Sequence, residues 1–355
     1  MKSEEIAKLA GVSRSTVSRV LNNYANVPEE TRKKVMEVIN KYDFELNMSA
    51  RVLAGKRTDT IGLFLFSVYD QKNPQRIYGN SYFGPFVEAV VDTGNYKGYY
   101  VLVHTIYNPD DCRRIQQTFM QRRIDAGIII GTEKNEAIKS VISKISNPLV
   151  IVDYDPAEIK QIMPSDGKIT VINSDDRKGM DECVDELVSL GHREIGLIEG
   201  RTTAYSGFLR KDEFRKRMAA HGLPVRKEYC LKGDFIRSKT ENAVTKMIKL
   251  GKLPTAMIAC NDDMAIAAAE TFRRHGIRVP EDISIIGYDD SQAASLVQPQ
   301  LTTVRIPFYK IAQKAVEAVK DMVEEKSTCY IEYVIDVEFI RRKSCAEPAE
   351  KGEKT

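Results

Sequence analysis

Five polar residues near the N-terminus share one face of a short predicted helix. They are Arg14, Ser15, Ser18, Arg19 and Asn22, and no acidic residue stands among them. Arginine can donate two hydrogen bonds to guanine, while hydroxyl and amide groups can donate to phosphate oxygens. A helix with such a face is typical of proteins that bind DNA in the major groove. The alternative interpretation is a small helical hairpin with a solvated polar face.

Two short helices around a glycine corner must position these side chains. Apolar residues recur at helical spacing before Gly11, which suits the left-handed conformation that ends a helix. Ser13 then suits the N-cap of the second helix, because its hydroxyl can accept from a free N–H group of the first turn. A third helix is expected to begin near Pro28. Residues 1–46 are therefore predicted to form an all-α helix-turn-helix domain, followed by a linker at residues 47–57.

Positive charge is concentrated at the same end of the chain. Residues 1–57 contain 11 Lys and Arg against 7 Asp and Glu, a balance of +4, whereas the rest contains 42 against 43, a balance of −1. Contacts to DNA phosphates need such an excess of cations. The charge distribution therefore supports the interpretation of the first domain as a DNA-binding domain.

The composition of the chain is typical of a globular protein. At 355 residues with 43% hydrophobic and 29% charged residues, it has the size and balance of a globular protein with two or three folding units. We find no apolar run of 18 residues and no signal-peptide core, so we expect a cytoplasmic protein without a membrane partner. Six scattered cysteines without a C-x-x-C pair predict reduced thiols, and we expect no metal and no cofactor.

The sequence pattern changes near Thr60. Short apolar strands there alternate with amphipathic helices along most of the remaining chain. This alternation predicts an α/β region of parallel sheets covered by helices on both faces, and about ten strands favour two doubly wound lobes. We expect this region to span residues 58–345 and the charged tail, residues 346–355, to be disordered.

Seven sequence motifs together resemble one known family. The DNA-binding end contains "IAKLAGVSRSTVSRVLN", "VPEETRKKV" and "NMSARVLAG", and the later region contains "LVSLGHREIGLIEG", "AMIACNDDMAIAA", "VPEDISIIGYDD" and "QPQLTTVRIP". With these motifs in order, the chain resembles the LacI/GalR family of bacterial transcription regulators over nearly its full length. The resemblance implies a homodimer that binds near-palindromic double-stranded operator DNA, a hinge helix at residues 47–57 and a periplasmic-binding-protein-like sensor.

The resemblance also implies that the chain passes between the two sensor lobes three times. These crossings are expected near Pro164, Ser291 and Ser327. The resulting lobes would be an N-lobe of about 58–163 and 292–326 and a C-lobe of about 164–291 and 327–345.

The family pattern assigns roles to residues of the DNA-binding end. Arg14, Ser15 and Arg19 match positions that contact bases, and the candidates for phosphate contact are Ser13, Thr16, Ser18 and Asn22. In the hinge, Leu53 corresponds to a leucine that enters the minor groove and kinks the duplex, and Arg51 is a further candidate DNA contact.

The pattern likewise predicts an effector site between the lobes. The candidate residues are Tyr82, Phe83, Asp153, Arg210, Phe235, Asn261 and Asp289. Carboxylates and amides can pair with sugar hydroxyls, and flat rings can cover apolar C–H faces. Each candidate also has a structural alternative: the aspartates could cap loops and Phe235 could belong to the core. The neighbouring Asp262 is interpreted as a helix N-cap, and His192 as a structural residue in a turn.

The predicted function is therefore that of a sequence-specific transcriptional repressor. Its DNA binding is expected to be controlled by a carbohydrate effector. Two alternatives remain within that class: a purine effector, and a phosphorylated carrier protein as corepressor. The alternatives from other classes are an enzyme and a transport protein that binds a solute. We find no G-x-S-x-G, H-E-x-x-H or phosphate-binding G-x-x-x-x-G-K-[ST] motif, and a DNA-binding region stands where an exported solute-binding protein would carry a signal peptide.

Overall fold

The chain folds into two units that are described separately. The structure is a computed structural model, and it describes residues 2–21, 24–44, 57–67, 82–326 and 330–349. The two units comprise Met1–Asp59 and Thr60–Thr355. Within the described residues, no helix is both long enough and apolar enough to cross a lipid bilayer.

The first unit contains three helices around a small apolar core. The helices are α1 (Ser3–Ala10), α2 (Arg14–Leu21) and α3 (Glu29–Lys41). Side chains from all three meet in this core, and the fully or largely buried ones include Ile6, Val17, Val20, Val35 and Ile39. This arrangement confirms the predicted helix-turn-helix fold.

The corner between α1 and α2 forms as the sequence predicts. Gly11 has a φ of 65°, in the left-handed region, and ends α1. The Ser13 hydroxyl then accepts a hydrogen bond from the Thr16 N–H at 3.1 Å, which caps the first turn of α2.

The N-lobe of the second unit is built on a six-stranded parallel sheet. Its strands are β1 (Thr60–Phe66), β2 (Tyr100–Ile106), β3 (Ala126–Ile130), β4 (Leu149–Val152), β5 (Ile169–Ser174) and β11 (Ile331–Ile335), in the spatial order β11-β5-β4-β3-β1-β2. The helices of this lobe are α4 (Phe83–Tyr96), α5 (Arg113–Met120), α6 (Glu136–Ile142), α7 (Pro156–Ile162) and α13 (Phe308–Val323), with a 3-10 turn at Pro109–Cys112. The central strands β1, β3 and β4 are buried on both faces, as expected of a covered parallel sheet.

The C-lobe has a four-stranded parallel sheet in the order β7-β6-β8-β9. Its strands are β6 (Ile195–Glu199), β7 (Cys230–Lys232), β8 (Ala256–Ala259) and β9 (Ser284–Ile286). Its helices are α8 (Asp176–Ser189), α9 (Tyr205–Ala220), α10 (Arg237–Lys249), α11 (Asp262–Arg274) and α12 (Gln292–Leu296), with a 3-10 turn at Lys227–Tyr229. Two short strands, β10 (Thr303–Arg305) and β12 (Glu338–Ile340), form a separate antiparallel pair.

The sheets place the three lobe crossings later in the chain than the sequence analysis predicted. Because β5 pairs with β4, the first crossing follows β5 and does not lie near Pro164. The second follows β10, since α12 packs on α11 of the C-lobe and α13 packs on α4 of the N-lobe, and Ser291 precedes this point. The third lies between β11, which pairs with β5, and β12, beyond the expected Ser327. The expected positions were wrong because a proline or serine loop does not show which sheet the next strand joins.

The start of the predicted disordered tail is bonded to the C-lobe. The Ala346 carbonyl accepts from His192 Nε2 at 2.9 Å and from the Ser284 hydroxyl at 3.1 Å. The Ala346 N–H donates back to Ser284 Oγ at 3.0 Å. The expected boundary at residue 346 was therefore wrong, while residues 350–355 lie outside the described residues. His192 is 1% exposed and takes part in this structural network, which agrees with its interpretation as a structural residue.

Candidate DNA-binding surface and effector cleft

The polar face of α2 is open to solvent. We call Ser13, Arg14, Ser15, Thr16, Ser18 and Arg19 the reading face. All of these residues are exposed except Thr16, which is half-buried, whereas Val17 and Val20 on the opposite side are buried. The amphipathic helix thus presents its polar side chains outward, as base and phosphate contacts require. The other three predicted DNA contacts, Asn22, Arg51 and Leu53, lie outside the described residues.

Three hydroxyl groups of the reading face bond to one another at the start of α2. Ser13 Oγ lies 2.7 Å from Ser15 Oγ and 2.9 Å from Thr16 Oγ1. These groups stand at the positive end of the helix, where they can turn outward and donate to an anion. The phosphate contacts of Ser13 and Thr16 stay a prediction.

An acidic residue reaches the reading face from the neighbouring helix. Glu4 Oε1 lies 3.2 Å from Arg14 Nη1, and both side chains are mostly exposed, at 64% and 71%. The residues of α2 themselves include no acid, so the sequence of this helix does not indicate a carboxylate on the face. Only the packing of α1 against α2 brings Glu4 to Arg14.

A buried arginine is the centre of a charged cluster at the predicted effector cleft of the second unit. Arg210, on α9, is only 3% exposed. Its Nε donates to Asp176 Oδ1 at 3.1 Å, and its Nη1 donates to the Cys260 carbonyl at 2.5 Å and lies 3.6 Å from Asp289 Oδ1. The guanidinium also lies over the Tyr288 ring, 3.8 Å from its centroid. The carboxylates beside Arg210 hold its pKa well above the usual value despite burial.

Asp176 is a cleft residue that the sequence analysis missed. It is 4% exposed and supplies the shortest carboxylate contact to Arg210. It follows Asp175, whose side chain accepts from the Lys178 N–H and caps α8. Two adjacent aspartates at a helix start resemble one capping site in sequence, and only the fold shows that the second turns inward.

Asp289 has a buried oxygen that is available for a further hydrogen bond. The residue is 5% exposed with a φ of 109°, and its Oδ1 has no hydrogen-bond partner. Burial raises the pKa of this carboxyl well above its ordinary value, although Arg210 opposes the shift. A non-glycine residue in such a conformation is strained, and strain of this kind is concentrated at binding sites.

Asp153 connects the two lobes. It follows β4 in the N-lobe, and its Oδ1 and Oδ2 accept from the N–H and the hydroxyl of Ser206, at 2.8 and 2.7 Å, at the start of α9 in the C-lobe. Burial, followed by the charge of Asp176, raises the pKa of Asp153 to about 6. The carboxyl of Asp153 is thus both a cleft group and an interlobe contact.

Further interlobe contacts lie beside Asp153. Arg201 Nε of the C-lobe lies 2.6 Å from Glu133 Oε1 of the N-lobe, and the Thr203 hydroxyl donates to Glu133 Oε2. The Lys134 N–H donates to the Thr203 carbonyl at 2.9 Å. We call the contacts of Glu133, Lys134 and Asp153 with Arg201, Thr203 and Ser206 the lobe bridge. No pattern in the sequence indicates Glu133, Arg201 or Thr203, which lie in loops.

The remaining predicted effector residues occupy different environments. The Tyr82 ring lies edge-on to the ring of Phe308, with 5.2 Å between the centroids, and burial followed by the charge of Asp153 raises the pKa of the Tyr82 phenol well above the usual value. Phe83 is 5% exposed and belongs to the apolar core. Phe235 is half-buried in the C-lobe with a φ of 59°, and Arg201 lies 6.0 Å from its ring centroid.

The N-cap of α11 is Asn261 and not the predicted Asp262. Asn261 is the N-cap of α11, because its Oδ1 accepts from the Met264 N–H at 3.0 Å. Asp262 is fully buried and accepts from the Thr303 hydroxyl and the Ser291 N–H, each at 2.6 Å. The interpretation of Asp262 as the N-cap was wrong, because the side chain one residue earlier reaches the free N–H groups.

Comparison with known proteins identifies the family. Residues 4–47 match the model of the bacterial regulatory proteins of the lacI family, and residues 184–345 match the periplasmic binding protein-like domain. The chain is 31% identical over 344 residues to the "Probable HTH-type transcriptional repressor ExuR" of Bacillus subtilis (strain 168), covering 96% of this chain and 97% of that protein. The chain belongs to the LacI family.

Other relatives and a solved structure agree with this assignment. The HTH-type transcriptional repressor PurR of Pasteurella multocida (strain Pm70) is 29% identical, with 96% of this chain and 97% of PurR covered. The structure of the Lac repressor dimer bound to operator and the anti-inducer ONPF has a TM-score of 0.80 and 25% identity, and the match covers 98% of this chain and 99% of that chain. This LacI-family chain is therefore a DNA-binding transcriptional regulator, with a helix-turn-helix unit and a two-lobed α/β sensor.

Proposed function

We propose that the chain acts as a homodimeric repressor whose operator affinity is set by a small molecule bound in the Arg210 cleft. The observation that carries this proposal is the buried cluster of Arg210, Asp176 and Asp289, which adjoins the interlobe contact of Asp153 with Ser206. A ligand that pairs with these groups necessarily acts on the contact between the lobes. The operator-bound Lac repressor dimer, a structural neighbour, supports a dimer on near-palindromic DNA.

At the DNA-binding end, two kinds of contact are proposed. Arg14, Ser15 and Arg19 contact base edges, where an arginine can bind guanine through two hydrogen bonds. Phosphate contacts are assigned to Ser13, Thr16, Ser18 and Asn22, and hinge contacts to Arg51 and Leu53, with Leu53 as a minor-groove wedge.

A sugar or sugar derivative is the proposed effector. Asp289 Oδ1 lies 3.6 Å from Arg210 Nη1 but accepts no hydrogen bond, so it can accept one from a ligand hydroxyl. Asn261, Tyr82 and Phe235 are proposed to supply further polar and aromatic contacts. A purine is the alternative, because a base can stack on the rings of Tyr82 and Phe235, and PurR proteins are among the relatives. A phosphorylated carrier protein remains a possible corepressor in the same regulator class.

The contacts of the lobe bridge are proposed to couple ligand binding to the arrangement of the two lobes. Each oxygen of Asp153 accepts one hydrogen bond from Ser206, so a ligand that donates to this carboxyl shares it with an interlobe hydrogen bond. Ligand binding then changes the balance between lobe arrangements, and that balance sets the separation of the two DNA-binding units in the dimer. A coupling of about 1–3 kcal/mol corresponds to about a 5- to 150-fold change in operator affinity.

A thermal-shift screen of the purified full chain against sugars, sugar phosphates and purines tests the effector class. A ligand at 100 times its Kd stabilises the folded protein by about 2.7 kcal/mol, which raises Tm measurably. We expect a rise with a sugar and none with purines. A rise in Tm only with purines would show that the effector is a purine and not a sugar. No rise with any of the three classes would contradict the proposed small-molecule site.

Two further statements follow from the proposed role. We propose that the chain has no catalytic activity, because its buried charged groups pair with one another and the regulator function needs no reaction. We also propose that it acts in the bacterial cytoplasm, where operator DNA is found.

A further inference from the structure

The ion pair between Glu4 and Arg14 is the least expected feature of the DNA-binding unit. It joins the first turn of α1 to the first residue of α2, at 3.2 Å between Glu4 Oε1 and Arg14 Nη1. An exposed pair of this kind contributes little to stability, because water and salt screen both charges. Its presence on the reading face therefore calls for a reason other than folding.

A carboxylate on a surface that meets DNA is unfavourable unless it finds a donor. Phosphates repel it, whereas the exocyclic amine of cytosine or adenine attracts it. Arg14 stands at the start of the helix that enters the groove, so the carboxylate beside it faces base edges more directly than a charge elsewhere on α1. Arg14 already donates to Glu4 Oε1, and a base amine can donate to the carboxylate beside it.

The pair matches one base pair by its pattern of donors and acceptors. A G·C pair presents the N7 and O6 acceptors of guanine beside the N4 donor of cytosine in the major groove. Arg14 supplies adjacent donors and Glu4 supplies an adjacent acceptor. We propose that Glu4 and Arg14 act together to select a G·C pair in each half-site, with Arg14 on guanine and Glu4 on cytosine. This inference depends on the proposed DNA contact of the reading face.

The same pairing distinguishes Arg14 from Arg19. The charge of Arg14 is compensated by Glu4, so Arg14 adds less to the general attraction for phosphates and more to base selection. Loss of Glu4 is therefore expected to have two opposite effects. Binding to random DNA should become stronger, while discrimination at one position should become weaker.

Selection from a randomised inverted-repeat duplex library, followed by titration of each single-base variant, measures both effects on the full-length protein. For Glu4→Ala, discrimination for G·C at one position should fall about tenfold, within the 5- to 150-fold range of a bidentate contact. Affinity for random duplex at low salt should rise by up to about fivefold. Arg14→Ala should lose preference at the same position, and the double variant should lose no more than Arg14→Ala.

Glu30→Ala is the matched control, because Glu30 is also a first-turn acid in an exposed pair, with Lys34 on α3. It should leave base preferences unchanged. Glu4→Gln, which keeps the side-chain length, is measured in parallel with circular dichroism on each variant to check folding. An unchanged preference profile in both Glu4 variants, or a change at a position that Arg14→Ala does not affect, overturns the inference. If the wild-type protein selects no sequence, the proposed DNA recognition itself fails.

Discussion

The reading face and the effector cleft use polar side chains in opposite ways. On the reading face, exposed groups bond to partners two to ten residues away in sequence, such as Ser13 with Ser15 and Arg14 with Glu4. In the cleft, buried groups meet across much longer stretches, and Arg210 pairs with Asp176 34 residues away. The first region should therefore accept substitution with little loss of stability, whereas the second should not.

The largest expected effect is that of Arg210→Ala. The substitution leaves Asp176 and Asp289 buried without their cation, which costs about 3–5 kcal/mol in comparable buried pairs. Urea unfolding of the full chain measures this loss. Arg217→Ala on the same helix is the control, because Arg217 and Asp185 form a partly exposed pair that should cost no more than about 1 kcal/mol. Equal losses for the two variants would contradict the distinction between buried cleft and exposed surface.

Arg19→Ala should show the reverse pattern. Loss of a bidentate base contact lowers specific operator affinity by about 1–3 kcal/mol. Because Arg19 is exposed, the free energy of unfolding should change by less than about 0.5 kcal/mol. Anisotropy titration on the selected duplex measures the affinity, with exposed Lys33→Ala on α3 as the control. Equal binding of wild type and Arg19→Ala would remove this assignment.

Asp289→Asn tests whether the cleft binds the effector. A hydrogen bond to a charged group contributes about 1.5–3 kcal/mol, so effector affinity should fall at least about tenfold. The variant keeps the shape of the side chain while it removes the buried charge. Calorimetry with the ligand from the thermal-shift screen measures the change. Unaltered affinity would exclude Asp289 from the site.

The last predicted effect is a pH dependence from Asp153. Its pKa is raised from 3.8 to about 6 in the folded chain, so the protonated form is favoured by folding. The stabilisation is fully present below pH 3.8 and is lost as pH rises through about 6. The free energy of unfolding of wild type minus that of Asp153→Asn should therefore decrease from pH 4 to pH 6.5.

Urea titrations at these two pH values check the sign. Asp262, whose pKa burial also raises to about 6, is present in both proteins and cancels in the difference. A difference that increases with pH would show that the Ser206 hydrogen bonds outweigh burial.

How far the sequence predicts the molecule also differs between the two regions. The helix-turn-helix follows from contiguous residues, since Gly11 and Ser13 act on their immediate neighbours. The alternation of strands and helices likewise predicts parallel sheets. The lobe boundaries do not follow from local signals, because membership of β5 and β11 in the N-lobe sheet is decided by pairing over long distances.

The proposed effector site follows from the sequence only in part. Family motifs indicate Arg210, Asn261 and Asp289 as candidates. They do not predict which other residues contact these three after folding. Asp176 resembles a second capping aspartate, and the loop residues Glu133 and Arg201 have no periodic pattern. Such residues become recognisable only when the two lobes are brought together.

Operator affinity with and without the effector, measured by anisotropy for full-length wild type and Asp289→Asn, tests the central claim most directly. Effector binding should alter the operator affinity of the wild type about 5- to 150-fold. The operator affinity of the variant should change much less at the same effector concentration. A ligand that binds the wild type in calorimetry yet leaves its operator Kd unchanged would contradict the account.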